Sequence, residues 1–360
     1  MHRRSLLIGG LLATAGAALA ACGRAGAPGA AAGAISGAGA TFPAPLYAKW
    51  AEAYRAAPGG GSVNYQAIGS GGGIKQITAG TVDFGGSDKP LSPADLEKAG
   101  LYQFPSVTGG VTPVVNAPGV GPGRLKLDGQ VLADIFLGTV TRWNAPAIAE
   151  LNPGLALPDL PITVVHRSDG SGTTFLFTTF LAGQSPAWSS KVGASDTVAW
   201  PVGIGGKGND GVAAFVKQTA GAIGYVEYAF AKQNGMAFTL LRNKDGAFVQ
   251  PAAASFAAAA AGADWEKAQG NFMLLVDQPG AETWPITGAT FILIPKAPRN
   301  PAKARAVLAF FDWAYANGDA AAAALDYVPL PAALKQRIRT QWTDIKGPDG
   351  KPVYRPTATA

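Results

Sequence analysis

The sequence predicts an α/β protein, on three observations. Runs with helical periodicity alternate with short strand-like runs from Ile35 onward. Hydrophobic residues make up 48% of the chain and charged residues only 14%, a balance incompatible with charge-driven disorder. Glycine is abundant, 48 of 360 residues, with neither the three-residue period of collagen nor the heptads of a coiled coil. Several of these glycines cluster at predicted helix starts.

Leu46, Tyr47, Trp50 and Tyr54 fall on one helical face after Pro43 and Pro45. Residues 63–68 alternate like a strand, and 74–79 form a short helix candidate. Residues 111–115, 162–165 and 291–294 read as strands. Residues 131–137, 175–181, 211–219 and 302–316 read as helices. The Ala-rich stretch 252–261 is either a helix or a low-complexity surface segment. No internal repeat and no linker breaks 35–360.

Residue counts narrow the chemistry. The chain has two histidines, His2 and His166, and one cysteine, Cys22. A His/Cys zinc site needs three or four such ligands, so no metal and no cofactor is expected. From Cys22 on there are 27 basic and 23 acidic side chains, a net charge of +4. No Lys/Arg run marks nucleic-acid binding, whereas a modest positive excess suits a small anion.

The N-terminus reads as an address. Residues 1–21 carry Arg3 and Arg4, then an apolar stretch, then small residues, the plan of a secretory signal. Leu19-Ala20-Ala21-Cys22 resembles the bacterial lipoprotein box, in which Cys22 would be lipidated after cleavage. Arg3-Arg4 before Ser5-Leu6-Leu7 is also similar to a twin-arginine signal, so the export route stays open. Residues 22–34 form a flexible Gly/Ala tether. An exported, extracytoplasmic domain, anchored to a membrane by lipid, is expected.

Three loops share one chemistry. Gly39-Ala40-Thr41-Phe42-Pro43, Gly69-Ser70-Gly71-Gly72-Gly73 and Asp169-Gly170-Ser171-Gly172-Thr173-Thr174 each place a hydroxyl among small residues at a predicted helix start. First-turn N–H groups are free and carry partial positive charge, which makes such ends anion sites. For any one loop the helix-cap reading is favoured; three in a chain so poor in charge shift the balance moderately toward an anion. Arg167, at the end of a strand-like run, offers a bidentate charged contact. Asp88 is either a turn cap or an acceptor for a ligand proton. Hydrogen phosphate carries such a proton near neutral pH and sulfate does not, so a carboxylate would repel sulfate. Gly203-Ile204-Gly205-Gly206-Lys207-Gly208 fits GxGxxG, but Pro201 precedes it and no clear strand leads in. Ser171 lies in no GxSxG elbow. His166 is expected to be structural.

With these residues in hand, the chain resembles the periplasmic phosphate-binding proteins of high-affinity phosphate ABC importers, the PstS family, from about Ser36 to Tyr354. The motifs are GAGATFPAPLYAKW at 37–50, VDFGGSDKPLS at 82–92, RSDGSGTTF at 167–175 and WPVGIGGKGNDGVAAFV at 200–216, with others in order between and after them. The resemblance implies a two-lobed periplasmic-binding-protein fold of type II-like topology, with the ligand in the cleft between lobes. It implies lobe one at 35–110 and 289–360 and lobe two at 111–288. By the same resemblance, Thr41, Phe42, Ser70, Asp88, Arg167, Ser171, Gly172 and Thr173 would hold phosphate, and Asp169 would orient Arg167. The implied partners are inorganic phosphate, the permease subunits and a membrane through lipidated Cys22. A monomer is expected, with no nucleic acid and no catalytic residue. Gly71 departs from members that carry a hydroxyl there. The competing readings are a receptor for another tetrahedral oxyanion and a phosphatase using Ser171, which lacks a histidine or metal cluster.

Overall fold

The structure, a computed structural model, describes residues 34–356. The expected signal at 1–21, the lipidation site Cys22 and all of the tether but Ala34 lie outside the described residues. The described residues form one compact unit. Among the described residues, no helix is long and apolar enough to cross a membrane.

The principal strands are β1 (Ile35–Gly39), β2 (Val63–Ala67), β3 (Phe84–Ser87), β4 (Leu101–Asn116), β5 (Thr163–Arg167), β6 (Ile204–Gly206), β7 (Ala222–Glu227) and β8 (Thr287–Pro295). They form one mixed sheet in the order β2-β1-β3-β8-β4-β7-β5-β6, with Ala237–Phe238 added beside β4. The flanking helices used below are α1 (Ala44–Ala56), α2 (Ser70–Ala79), α3 (Gly129–Leu137), α4 (Gly172–Gln184), α5 (Gly208–Gln218), α6 (Ala253–Ala261) and α7 (Pro301–Asn317).

Two parallel groups make up the sheet. β1 pairs in parallel with β2 and β3, and β5 pairs in parallel with β6 and β7. β4 joins them, with residues 101–110 antiparallel to β8 and residues 111–116 antiparallel to β7. Each half has its own aromatic packing. In the first, Tyr47 and Phe84 pack on Phe311, and Phe104 packs on Phe311 and Trp342. In the second, Tyr225 stacks on Phe177 at 4.2 Å, with Phe136 and Trp200 around them. The α1 stripe of Leu46, Tyr47, Trp50 and Tyr54 is buried, as its spacing predicts.

Several boundaries differ from the sequence reading. α2 starts at Ser70, so Gly71–Gly73 belong to its first turn rather than to a loop. β4 is 16 residues long and contains Pro105 and Pro113. Proline interrupts a strand signal, but Pro105 borders a bulge: Val107 faces Thr290 and Pro105 faces Phe291, leaving Ser106 as the extra residue. The Ala-rich stretch is a helix, α6, with Phe256 buried beneath it. The Gly203–Gly208 segment does contain a strand, β6, which pairs with β5 and leads directly into α5.

Candidate anion-binding site

Ligands in α/β sheets settle beyond the carboxyl ends of parallel strands, where loops become helix N-termini. β1 leads through Thr41 and Phe42 into α1, β2 leads through Gly69 into Ser70, and β3 ends beside Asp88. In the other half β5 ends at Arg167, Ser171 caps α4, and β6 leads into α5. The two edges face each other. Gly172 N–H and Asp88 N–H both donate to Ser70 Oγ, at 3.0 and 3.2 Å. Asn209 donates to Thr41 Oγ1 from Nδ2 at 2.8 Å and from its backbone N at 3.3 Å. Gly71 N–H donates to Gly170 O at 2.9 Å. Thr41, Phe42, Ser70, Asp88, Arg167, Ser171, Gly172 and Thr173 are thus brought to one buried region, with Asp169 half-buried at its side.

These contacts decide what the hydroxyls can do. A hydroxyl has two lone pairs and one proton. Ser70 Oγ and Thr41 Oγ1 each accept two N–H groups, so each has its proton left to donate. Ser171 Oγ accepts Thr174 N–H at 3.1 Å as the cap of α4, and its proton is also free. The Gly172 N–H, which the sequence reading gives to the anion, is engaged by Ser70 here. The glycines serve the close approach of the two edges. A Cβ on Gly172 would sit 2.6 Å from Ser70 Oγ and 2.7 Å from Asp88 N, and one on Gly71 would sit 3.2 Å from Gly170 Cα.

Three polar atoms of these residues are buried without a protein partner: Arg167 Nη1, Thr173 Oγ1 and Asp88 Oδ2. Buried polar groups are rarely left so. The rest of Arg167 is engaged: Nε and Nη2 donate to Asp169 Oδ1 and Oδ2 at 2.8 and 2.6 Å, a bidentate pair that aims the remaining nitrogen away from Asp169. Asp169 Oδ1 also accepts Gly208 N–H at 3.0 Å. Burial pushes the Asp169 carboxyl up, but the bonds from Arg167 outweigh it and hold the group below the usual carboxylate range.

Asp88 is 1% exposed. Its Oδ1 accepts a 2.7 Å bond from the Thr290 hydroxyl, beside the Ser106 bulge. Burial pushes its carboxyl up to about 7, against the opposing pull of Thr290, Arg167 and Ser70. The site therefore combines unpaired donors with one unpaired acceptor of adjustable charge.

The sequence reading misses Asn209, Gly208 and Thr290. A local signal for the first two is present: a glycine run entering a helical one, the same form as the three loops. Nothing local marks Thr290, which lies 202 residues from its partner Asp88. His166 stacks on Trp200 at 4.7 Å, and its Nδ1 contacts Arg167 O at 3.0 Å. Burial holds its pKa below the ordinary value, against the opposing bond to the Arg167 carbonyl. Among the described residues no group of three His, Cys, Asp or Glu is placed to hold a metal ion.

Donors and an acceptor gathered at the carboxyl ends of the two parallel groups of the sheet, which β4 joins, make a cradle suited to a small oxyanion, the arrangement of a solute-binding protein. Residues 25–317 match the model of the PBP superfamily domain. The phosphate-binding protein PstS of Pasteurella multocida is 54% identical over 322 residues, covering 89% of this chain and 93% of that one. PstS of Methanocaldococcus jannaschii is 37% identical over 302 residues, 78% of each chain. Among solved structures, a high-affinity periplasmic phosphate-binding protein bound with phosphate (PfluDING) shares the fold with a TM-score of 0.68 at 24% identity, over 86% of this chain and 93% of that one. The phosphate-binding protein from Stenotrophomonas maltophilia gives 0.66 at 24% identity, over 86% and 94%. The chain belongs to the PstS family of phosphate-binding proteins.

Proposed function

We propose that the chain captures inorganic phosphate outside the cytoplasmic membrane and hands it to the permease of a phosphate ABC importer, without chemical turnover. The observation that carries this reading is the buried acceptor Asp88 Oδ2 among the buried donors Arg167 Nη1 and Thr173 Oγ1. With Asp88 ionised, only an anion that also brings a proton satisfies both kinds of atom. Hydrogen phosphate does so: its hydroxyl donates to Asp88, and its other oxygens accept from Arg167, from the hydroxyls of Thr41, Ser70, Ser171 and Thr173, and from the N–H groups of Phe42, just before α1, and Thr173, in the first turn of α4. The Gly172 amide would join them by turning from Ser70 to the ligand. Cys22, lipidated after export, would tether the monomer beside the membrane, and residues 22–34 would give it reach.

Residues 35–110 with 289–360 form lobe one in this reading, and residues 111–288 form lobe two. The division at Gly110/Val111 is favoured by the change of β4 partner there, from β8 to β7. Ligand contacts then come from both lobes, so phosphate stabilises the closed arrangement most. The ion pairs Lys89–Asp196 at 3.0 Å and Lys232–Asp326 at 2.6 Å would close with it.

Calorimetry at neutral pH with phosphate and sulfate tests the reading. Phosphate is expected to bind much more tightly than sulfate, whose residual affinity at this pH comes from the protonated fraction of Asp88, and comparable affinities would assign the chain to another oxyanion. Sustained release of phosphate from an ester, lost in Ser171→Ala, would instead make it a phosphatase. A further expectation concerns closure. Overpacking a tight contact costs ~1–3 kcal/mol, so Gly172→Ala is expected to weaken phosphate binding by about 10- to 100-fold. Unchanged affinity would mean that the Ser70 and Gly172 edges need not touch to hold the ligand.

A further inference from the structure

Of the six glutamates, Glu227 is the buried one among the described residues, with no exposure. It ends β7 and pairs with Val111, where β4 passes from one half of the sheet to the other. Its Oε1 accepts Ala229 N–H at 2.9 Å. Its Oε2 lies 2.8 Å from Tyr327 Oη, and Tyr327 Oη lies 2.6 Å from the carbonyl oxygen of Phe42.

A proton count follows. Tyr327 has one hydroxyl proton, and the Phe42 carbonyl has none. Both contacts are hydrogen bonds only if Glu227 Oε2 carries a proton of its own. Glu227 then donates to Tyr327, and Tyr327 donates to Phe42. An ionised Glu227 would draw the tyrosine proton to itself and leave two bare oxygens 2.6 Å apart at Phe42, in a buried place where an unmade bond is costly.

We propose that Glu227 is a neutral carboxylic acid at physiological pH and that, through Tyr327, which anchors the Phe42 carbonyl, it is a positioning residue for Phe42 of the anion cradle. The proposal rests on the reading of Phe42 N–H as a phosphate donor. The surroundings agree with it. The charged and titratable groups facing Glu227 are Asp88, Tyr327 and Tyr228, with the Lys232–Asp326 pair next to Tyr228. Of these, the carboxyl of Asp88 acts on Glu227 through space and favours its neutral form, and among the described residues no ion pair is formed by Glu227. Burial pushes Glu227 up to about 8, against the bond from Ala229 N–H. The Asn209 side chain, which donates to Thr41, accepts Glu227 N–H at 3.1 Å. The two anion-loop residues are thus tied to one strand end.

The test uses the mature chain, labelled with glutamate carrying ¹³C at the side-chain carboxyl, in a pH titration by NMR. At pH 7 five carboxyl resonances are expected at ionised positions and one at the position of a protonated acid, which disappears in Glu227→Gln. Six ionised carboxyls at pH 7 would overturn the proposal, and this readout needs no variant to fold. Phosphate titration supplies the second arm. Gln keeps a neutral donor toward Tyr327, so Glu227→Gln is expected to bind within about twofold of the unaltered chain, while Glu227→Ala and Tyr327→Phe lose on the order of tenfold. Equal losses in Glu227→Gln and Glu227→Ala would overturn the positioning role. If the unaltered chain failed to bind phosphate while the protonated resonance stood, the phosphate reading would fall and the neutral acid would remain.

Discussion

Arg167→Ala is expected to lower phosphate affinity by on the order of 10²–10³-fold, since breaking a buried charged pair by removing one partner costs ~3–5 kcal/mol and each 1.4 kcal/mol is tenfold. Two losses add up. The ligand loses the buried Nη1 donor, and Asp169 loses both of the bonds that hold it ionised, keeping only the Gly208 N–H. An uncompensated carboxylate then stands beside a dianion. Arg167→Lys is expected to recover only part of this. A lysine ammonium is a point charge that cannot grip both Asp169 oxygens and still present a directed third donor. Isothermal calorimetry on both variants measures it. An Arg167→Ala affinity within threefold of the unaltered chain would mean that the anion lies elsewhere.

What could be read from the sequence, and what could not, follows the range over which each signal acts. Thr41, Ser70 and Ser171 stand among small residues directly before a helix, so the amide-rich ends are legible within five or six letters. Arg167 and Asp169 are two residues apart, and their pairing is nearly local. Asn209, Thr290 and Tyr327 are different. They act on Thr41, Asp88 and Phe42 from 168, 202 and 285 residues away. No window of sequence contains both ends, and only the meeting of two sheet edges creates the relation. The fold shows the same division. The α1 stripe has one buried face and is read directly. Only residues 111–115 of β4 are read; its first part hides behind Pro105, Gly109 and Gly110, each of which weakens a strand signal for a reason that is tertiary. Gly110, for instance, gives Phe256 of α6 its seat: a Cβ there would lie 2.1 Å from the ring. The GxGxxG segment was misleading because its strand lies inside the motif rather than before it.

Asp88→Asn is expected to have its largest effect on selectivity. In the unaltered chain Oδ1 is occupied by Thr290, so whatever occupies the cradle must deal with Oδ2. Ionised, Oδ2 only accepts. Hydrogen phosphate supplies a proton and shares it; sulfate presents a bare oxygen and is repelled. Protonated, Oδ2 becomes a donor and sulfate no longer meets a barrier. The carboxyl of the empty site titrates at about 7, because burial raises it. The sign of the pH dependence follows from that position. Sulfate affinity is expected to be nearly level below pH 7 and to fall about tenfold per pH unit above it, because the competent protonated fraction shrinks by that factor. Asn offers a permanent N–H in place of the titrating O–H, so in Asp88→Asn sulfate affinity becomes independent of pH. At pH 9 the variant is expected to bind sulfate roughly 100-fold more tightly than the unaltered chain, with a much smaller change for phosphate. Parallel sulfate titrations of the two proteins from pH 5 to 9 decide the matter. A flat profile in the unaltered chain, or no gain in the variant at high pH, would show that rejection of the unprotonated anion does not reside in Asp88. The same argument limits how selective the receptor is in mild acid, where the group that excludes sulfate has itself become a donor.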